Sequence, residues 1–298
     1  MKKMTIALVA VVSIMLATTA GLWAQDNDTL EKIKRSGKFT VGVVPALPFS
    51  YFDDYGTVIG YSTYYSHLIA ESIKKELNMP GLTVEYIEVN AGNRIPKLVT
   101  GDYDIECGST TNNIARQSEV AFSNTIFVVG TRLLTHKESG INDIPDLQGR
   151  KVAVTKGTTT ESLINLINSA EKLNIEIIST NEFREAFLKL ESGQVDAFFL
   201  DDAILAGERA GAVNPSDWVI VGPSQSYETY GCMIRKDDPR FKKLVDDAVA
   251  LAQTSGEAEK AFNRWFKSPV PPTGTNLNFD MPDVMRNLFR APNDEPYQ

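Results

Sequence analysis

The sequence predicts an α/β protein of two lobes, on three observations. Strand and helix patterns alternate along the chain, the alternation falls into two separate blocks, and two β-rich runs stand where the chain would cross between them. In the first block, Leu30, Ile33 and Lys34 ahead of Gly37 give a short helix closed by glycine. Residues 39–44 are a compact strand, Asp53-Asp54-Tyr55-Gly56 is a turn, and 62–78 carries Tyr65, Leu68, Ile69, Ile73 and Leu77 at helical spacing. A strand at 83–89 follows, then a short helix at 94–99 with Pro96 in its first turn, then a strand at 103–107.

The second block repeats the pattern: strand 151–155, helix 160–170, strand 175–179, helix 182–190, and strand 195–200 running into Asp201. Such alternation predicts parallel sheets. The candidate crossings are TIFVVGTRLLT at 125–135 and YGCMIR at 230–235. Two crossings make the first lobe discontinuous, with 25–131 as its first part, 132–229 as the second lobe, and 230–298 as the return. A helical stretch at 237–266 and a last short helix at 281–288 belong to that return.

Bulk properties narrow the function. The 298 residues are 43% hydrophobic and 23% charged, a globular composition. Thirty Lys and Arg against 38 Asp and Glu give a net charge of −8, and no basic stripe suited to nucleic acid is present. Lys2 and Lys3 precede an uncharged apolar run from Ile6 to Ala20, then Trp23-Ala24 and the polar Gln25-Asp26. That is the pattern of a secretory signal peptide over 1–24, cleaved after Ala24 or alternatively after Ala20. Its removal takes away Lys2 and Lys3 and leaves −8 − 2 = −10. No later stretch reaches membrane-spanning length. Cys107 and Cys232 are the only cysteines. They form either one long-range disulfide or two separate buried thiols, and export favours the bridge.

In open α/β sheets ligands sit beyond the carboxyl ends of the strands. The residues there are Gly108-Ser109-Thr110-Thr111-Asn112-Asn113, then Arg116, Gly157-Thr158-Thr159-Thr160-Glu161, and Asp201-Asp202. Ser and Thr there serve either as helix caps or as ligand donors, and the helix that opens near Thr159 favours anions. Arg116 can grip a carboxylate through two parallel hydrogen bonds. Asp201 is either an N-cap or a counter-charge for an ammonium. Arg116 and Asp201 on opposite lobes suit a zwitterion, each of whose buried charges needs a partner. His67 and His136 stand far from any cysteine or paired carboxylates, and HExxH, G-x-S-x-G and P-loop motifs are absent. Neither a metal site nor a cofactor is expected.

The stretches NRIPKLVTGDYDIECGSTTNN, AFSNTIFVVGTRLLT, LESGQVDAFFLDDAILAGERA, YGCMIRKDDP and QTSGEAEKAFNRWF carry a resemblance over nearly the whole mature chain. It resembles the periplasmic polar amino-acid-binding proteins of ABC importers (bacterial solute-binding protein family 3), most closely their glutamate/aspartate branch. The resemblance implies a type II periplasmic-binding-protein fold, with two hinge strands and a ligand cleft between the lobes. It places the α-carboxylate on Arg116, Thr111 and Thr159, the α-ammonium on Asp201 and Ser109, and an acidic side chain on Arg94. Three polar positions of that branch are altered: its arginine before the PFSY segment is missing at Val43-Val44, a serine is Ala91, and a histidine is Phe183. Arg184 compensates if it turns inward. The resemblance implies a monomer that delivers its ligand to ABC permease membrane subunits. The alternatives are a receptor for a neutral polar amino acid such as glutamine, a dehydratase on the same fold, and a sensory receptor.

Overall fold

The computed structural model describes residues 28–296, and the signal peptide assigned to 1–24 lies outside them. Helix α1 (Thr29–Ser36) starts where the Asp28 side chain accepts the Glu31 N–H, and ends at Gly37 in the left-handed region. Strand β1 (Lys38–Val43) is followed by a small hairpin, β2 (Tyr51–Phe52) and β3 (Val58–Ile59), and by α2 (Tyr61–Glu76). Strand β4 (Thr83–Glu88), α3 (Arg94–Val99), β5 (Ile105–Glu106) and α4 (Ile114–Gln117) complete the first block. β1 pairs in parallel with β4 on one side and β5 on the other.

β5 is shorter than the expected strand at 103–107. The Asp104 carboxylate, rather than a partner strand's carbonyl, accepts the Thr40 N–H at 3.0 Å and the Thr40 hydroxyl at 2.8 Å. It also pairs with Lys32 and Arg235, so the approach to β5 is held by side chains.

The crossing strand β6 (Val120–His136) runs 17 residues, a span of about 55 Å. Its first half lies in lobe 1 and its second half in lobe 2. Lobe 2 then adds β7 (Lys151–Thr155), α5 (Thr159–Glu171), β8 (Glu176–Thr180), α6 (Phe183–Glu191), β9 (Ala197–Asp201), α7 (Asp202–Ala210) and β10 (Trp218–Val221). The chain returns on β11 (Tyr227–Arg235). Within lobe 2, β7 pairs in parallel with β8 and β9. The crossing strands depart from the parallel expectation: β6 and β11 run antiparallel to each other, and β6 is antiparallel to β9 and β10.

The helical stretch expected at 237–266 is two helices, α8 (Pro239–Thr254) and α9 (Glu257–Phe266). Gly256, with φ of 84°, breaks them. A short hairpin, β12 (Pro269–Val270) and β13 (Thr275–Asn276), leads to the last helix α10 (Asp283–Arg290).

Lobe 1 is built around a cluster of aromatic rings. Phe49 meets Phe127 edge-on at 4.9 Å and Tyr230 at 5.3 Å, and Phe127 stacks on Phe266 at 4.8 Å. Phe127 belongs to β6 and Tyr230 to β11, so both crossing strands are rooted in this core. A disulfide between Cys107 and Cys232 ties the end of β5 to β11 across 125 positions, which settles the choice between bridge and free thiols. Such a bridge typically stabilises the folded chain by about 2–4 kcal/mol. The C-terminal segment adds two further ties, with Asn293 accepting the Thr125 N–H and Asp294 accepting from the Asn112 amide, both at 2.8 Å.

Candidate functional site

Beyond Cys107 the chain leaves β5 and folds into a loop that faces lobe 2. Gly108 opens it because a Cβ there would come within 1.9 Å of Glu106 Oε1. Ser62 donates to the Gly108 carbonyl at 3.0 Å, and the Asn112 N–H donates to the Thr229 carbonyl at 2.8 Å. Thr111 bridges to Tyr230 in antiparallel fashion, so the loop is stitched to the root of β11. Asn113 caps α4 by accepting the Arg116 N–H at 2.9 Å, which fixes where the Arg116 side chain starts.

Arg116 spans the cleft. Its Nη1 donates to the Thr111 carbonyl at 2.9 Å on lobe 1, and its Nη2 donates to the Gly157 carbonyl at 3.1 Å on lobe 2. Burial and the nearby positive charge of Arg94 lower its pKa to about 10, while Glu228, Asp201 and Glu106 act in the opposite direction. It stays charged at neutral pH. Gly157 is where the lobes touch: it has φ of +76°, and a Cβ there would lie 2.6 Å from the Gly92 Cα and 2.7 Å from the Ala91 carbonyl.

On lobe 2, Thr158 is the N-cap of α5 and accepts the Glu161 N–H at 3.1 Å. Thr159, the next residue, is therefore free of capping. Its hydroxyl donates to Glu228 Oε2 at 2.7 Å. The Thr111 hydroxyl donates to the same oxygen from lobe 1.

Asp201 stands at the N-cap position of α7, yet its side chain makes no capping hydrogen bond. Instead it accepts from the Tyr230 hydroxyl and, at 3.2 Å, from the Thr131 hydroxyl, which aims it across the cleft. Burial raises its pKa well above the ordinary carboxylate range. The charge of Glu228 adds to that rise, and the two hydroxyls oppose it. Asp202 is pushed up to about 6, again mainly by burial. A cation placed beside Asp201 would restore its ionised form.

Arg94 lies at the start of α3 and is 2% exposed. Its Nη1 reaches the Ser109 carbonyl at 3.5 Å, and its Nε has no partner among the described residues. The Ser109 hydroxyl and Glu106 Oε1 are likewise buried without partners. A buried polar atom left unpaired costs free energy, so three in one place mark where a polar ligand would be held. Burial raises the Glu106 carboxyl, with Arg94 and the Thr110 hydroxyl opposing the shift.

The structure thus brings Ser109, Thr111, Arg116, Thr159, Asp201 and Arg94 to one cleft. It does not bring Arg184. That guanidinium is paired with Glu208 at 3.4 Å, donates to the Gly211 carbonyl at 3.3 Å and lies over the Phe187 ring at 5.2 Å. The inward turn that compensation required is not seen, because Glu208, Gly211 and Phe187 occupy the guanidinium. Ala91 and Phe183 are buried without a polar group of their own. Residues 39–268 match the bacterial extracellular solute-binding proteins, family 3.

The chain belongs to this family. Glutamate/aspartate import solute-binding proteins of Salmonella typhimurium and Escherichia coli are 51% and 52% identical to it. The first match covers 99% of this chain and 98% of the relative, the second 95% and 96%. Among solved structures, a mutant of an arginine-binding protein (ArgBP) from T. maritima superposes with a TM-score of 0.70 at 27% identity. That superposition covers 80% of this chain and 99% of the other. The family's two-lobed, type II architecture is the one described above. Among the described residues no helix is long and apolar enough to cross a membrane, and no cluster of His, Cys, Asp or Glu could hold a metal ion.

Sequence reasoning missed Glu106, Tyr230 and Glu228. Glu228 had one visible signal: it is the acidic residue in the otherwise polar-neutral and apolar start of YETYGCMIR, a crossing strand. Tyr230 acquires its role through Asp201, 29 positions away, whereas Glu106 meets Thr110 only four residues on, within the loop that follows its short strand.

Proposed function

We infer that this protein is a periplasmic receptor that captures free L-glutamate or L-aspartate by hinge closure and passes its closed form to the membrane subunits of an ABC permease. The observation that carries the reading is Arg116, a buried cation hydrogen-bonded to both lobes and set beside two hydroxyls, Thr111 and Thr159, one from each lobe. In this reading Arg116, Thr111 and Thr159 hold the α-carboxylate, and Asp201 with Ser109 holds the α-ammonium. Arg94 meets the side-chain carboxylate from the buried wall of lobe 1. The division at 25–131, 132–229 and 230–298 places one crossing strand at each lobe boundary. The mature protein starts after a signal peptide cleaved at Ala24, acts as a monomer, and binds rather than transforms its ligand. The names of its close relatives support the acidic ligand, and Arg94 supports it chemically.

Isothermal titration of the mature protein with glutamate, aspartate, glutamine and asparagine tests this. Strong heat with the two acids and weak heat with the amides is expected. Heat with none of the four ends the reading, and preference for glutamine replaces the acidic ligand with a neutral one.

A further inference from the structure

Glu228 is a carboxylate that the site as read above does not use. It is 6% exposed and has no Lys or Arg within ion-pair distance among the described residues. Its Oε2 accepts hydrogen bonds from the Thr111 hydroxyl on lobe 1 and the Thr159 hydroxyl on lobe 2, and Ser226 donates to its Oε1 at 3.4 Å. A threonine hydroxyl has one proton to donate. An amino acid's α-carboxylate and Glu228 therefore cannot both be satisfied by the same two hydroxyls.

We propose that Glu228 is a resident competitor for the ligand's α-carboxylate, a side-chain carboxylate that bridges Thr111 and Thr159 and must give them up when an amino acid binds. The proposal rests on the assignment of those threonines to the α-carboxylate. Two consequences follow from the geometry. The bridge draws the lobes together through Glu228 itself, so closing does not depend on ligand alone. And the same carboxylate disfavours ionised Asp201, a cost that the α-carboxylate replacing it would keep and that only the ligand's ammonium offsets. The site is thereby tuned to a molecule that brings both charges at once. A bare carboxylate would displace Glu228 without relieving Asp201.

The test uses the full mature chain with Glu228→Ala and Glu228→Gln, titrated with L-glutamate and followed by small-angle scattering without amino acid. Removing the competitor should tighten glutamate binding about tenfold in Glu228→Ala, from two hydroxyl–carboxylate bonds no longer to be broken. Glu228→Gln, which keeps an accepting oxygen without the charge, should fall between it and the native protein. The radius of gyration of Glu228→Ala should exceed that of the native chain, because the bridge is gone. Equal or weaker glutamate binding in both variants overturns the proposal and leaves the amino-acid site standing. A native protein that takes no amino acid overturns the site assignment itself.

Discussion

Lobe 1 and lobe 2 meet the crossing strands with different materials. On the lobe 1 side, Phe127 of β6 and Tyr230 of β11 are locked among Phe49, Tyr61, Phe262 and Phe266, with the Cys107–Cys232 bridge and the Asn293 and Asp294 ties behind them. On the lobe 2 side, Leu133 of β6 packs into a smaller, mostly aliphatic core of Val152, Val154, Ile164 and Ala197 with Phe199, while Leu134 joins Phe187, Phe198 and Trp218 in the larger cluster. The crossing strands are therefore continuous with the lobe 1 core. The loops that carry Thr159 and Gly157 hang from a separate, smaller core. Under the proposed hinge closure this difference divides the labour: lobe 1 would be the base that carries the Ser109–Arg116 loop, and lobe 2 the jaw that brings Thr159 and Asp201 to it.

The comparison breaks most sharply at Arg116, a cation that donates to both lobes. Arg116→Ala should weaken binding of any amino acid on the order of 10³-fold, as expected for removing one partner of a buried charge pair. Titration calorimetry reads it. A loss confined to acidic ligands would move Arg116 to the side-chain end of the pocket.

The base itself is tested by Cys107→Ser with Cys232→Ser. The double variant should lose about 2–4 kcal/mol of unfolding free energy in urea. If the double variant unfolds at the native midpoint, lobe 1 does not depend on its bridge.

Arg94→Ala should weaken glutamate and aspartate about 10–100-fold while changing glutamine little, the cost of one charged hydrogen-bonding partner. Equal losses for acids and amides would remove Arg94 from the specificity end of the site.

The smallest effect belongs to lobe 2 alone. Burial raises Glu208 from its ordinary value of 4.5 to about 7, despite Arg184 beside it. Between those values the folded chain holds more protons than the unfolded one, so stability falls as pH rises through that window, by on the order of 1–3 kcal/mol. Glu208→Gln should flatten this slope in thermal melts taken from pH 4.5 to 8. An unchanged slope would assign it to another group, of which Asp202 is the nearest alternative.

Much of the fold was legible because local pattern and final structure agree. The helix at 94–99 begins and ends where its spacing and Pro96 require, and Gly37 closes α1. Where reading failed, a partner distant in sequence decided the outcome. Asp104 shortens β5 through Thr40, and Arg184 is captured by Glu208. Glu228 enters the site only because β11 sets it between Thr111, 117 positions away, and Thr159. The residue types of the proposed grip, hydroxyls and one arginine after a strand, were legible, and the structure sets them side by side. The carboxylates that surround it were not legible, since nothing local in DIEC or YETY shows which way they face.

The most direct test is a crystal structure of the mature protein with L-glutamate bound. The α-carboxylate is expected within hydrogen-bond reach of Arg116, Thr111 and Thr159, the ammonium on Asp201, and the side-chain carboxylate toward Arg94, with Glu228 turned away from both threonines. A glutamate bound in the reverse orientation, or one held while Glu228 still bridges Thr111 and Thr159, would contradict this placement.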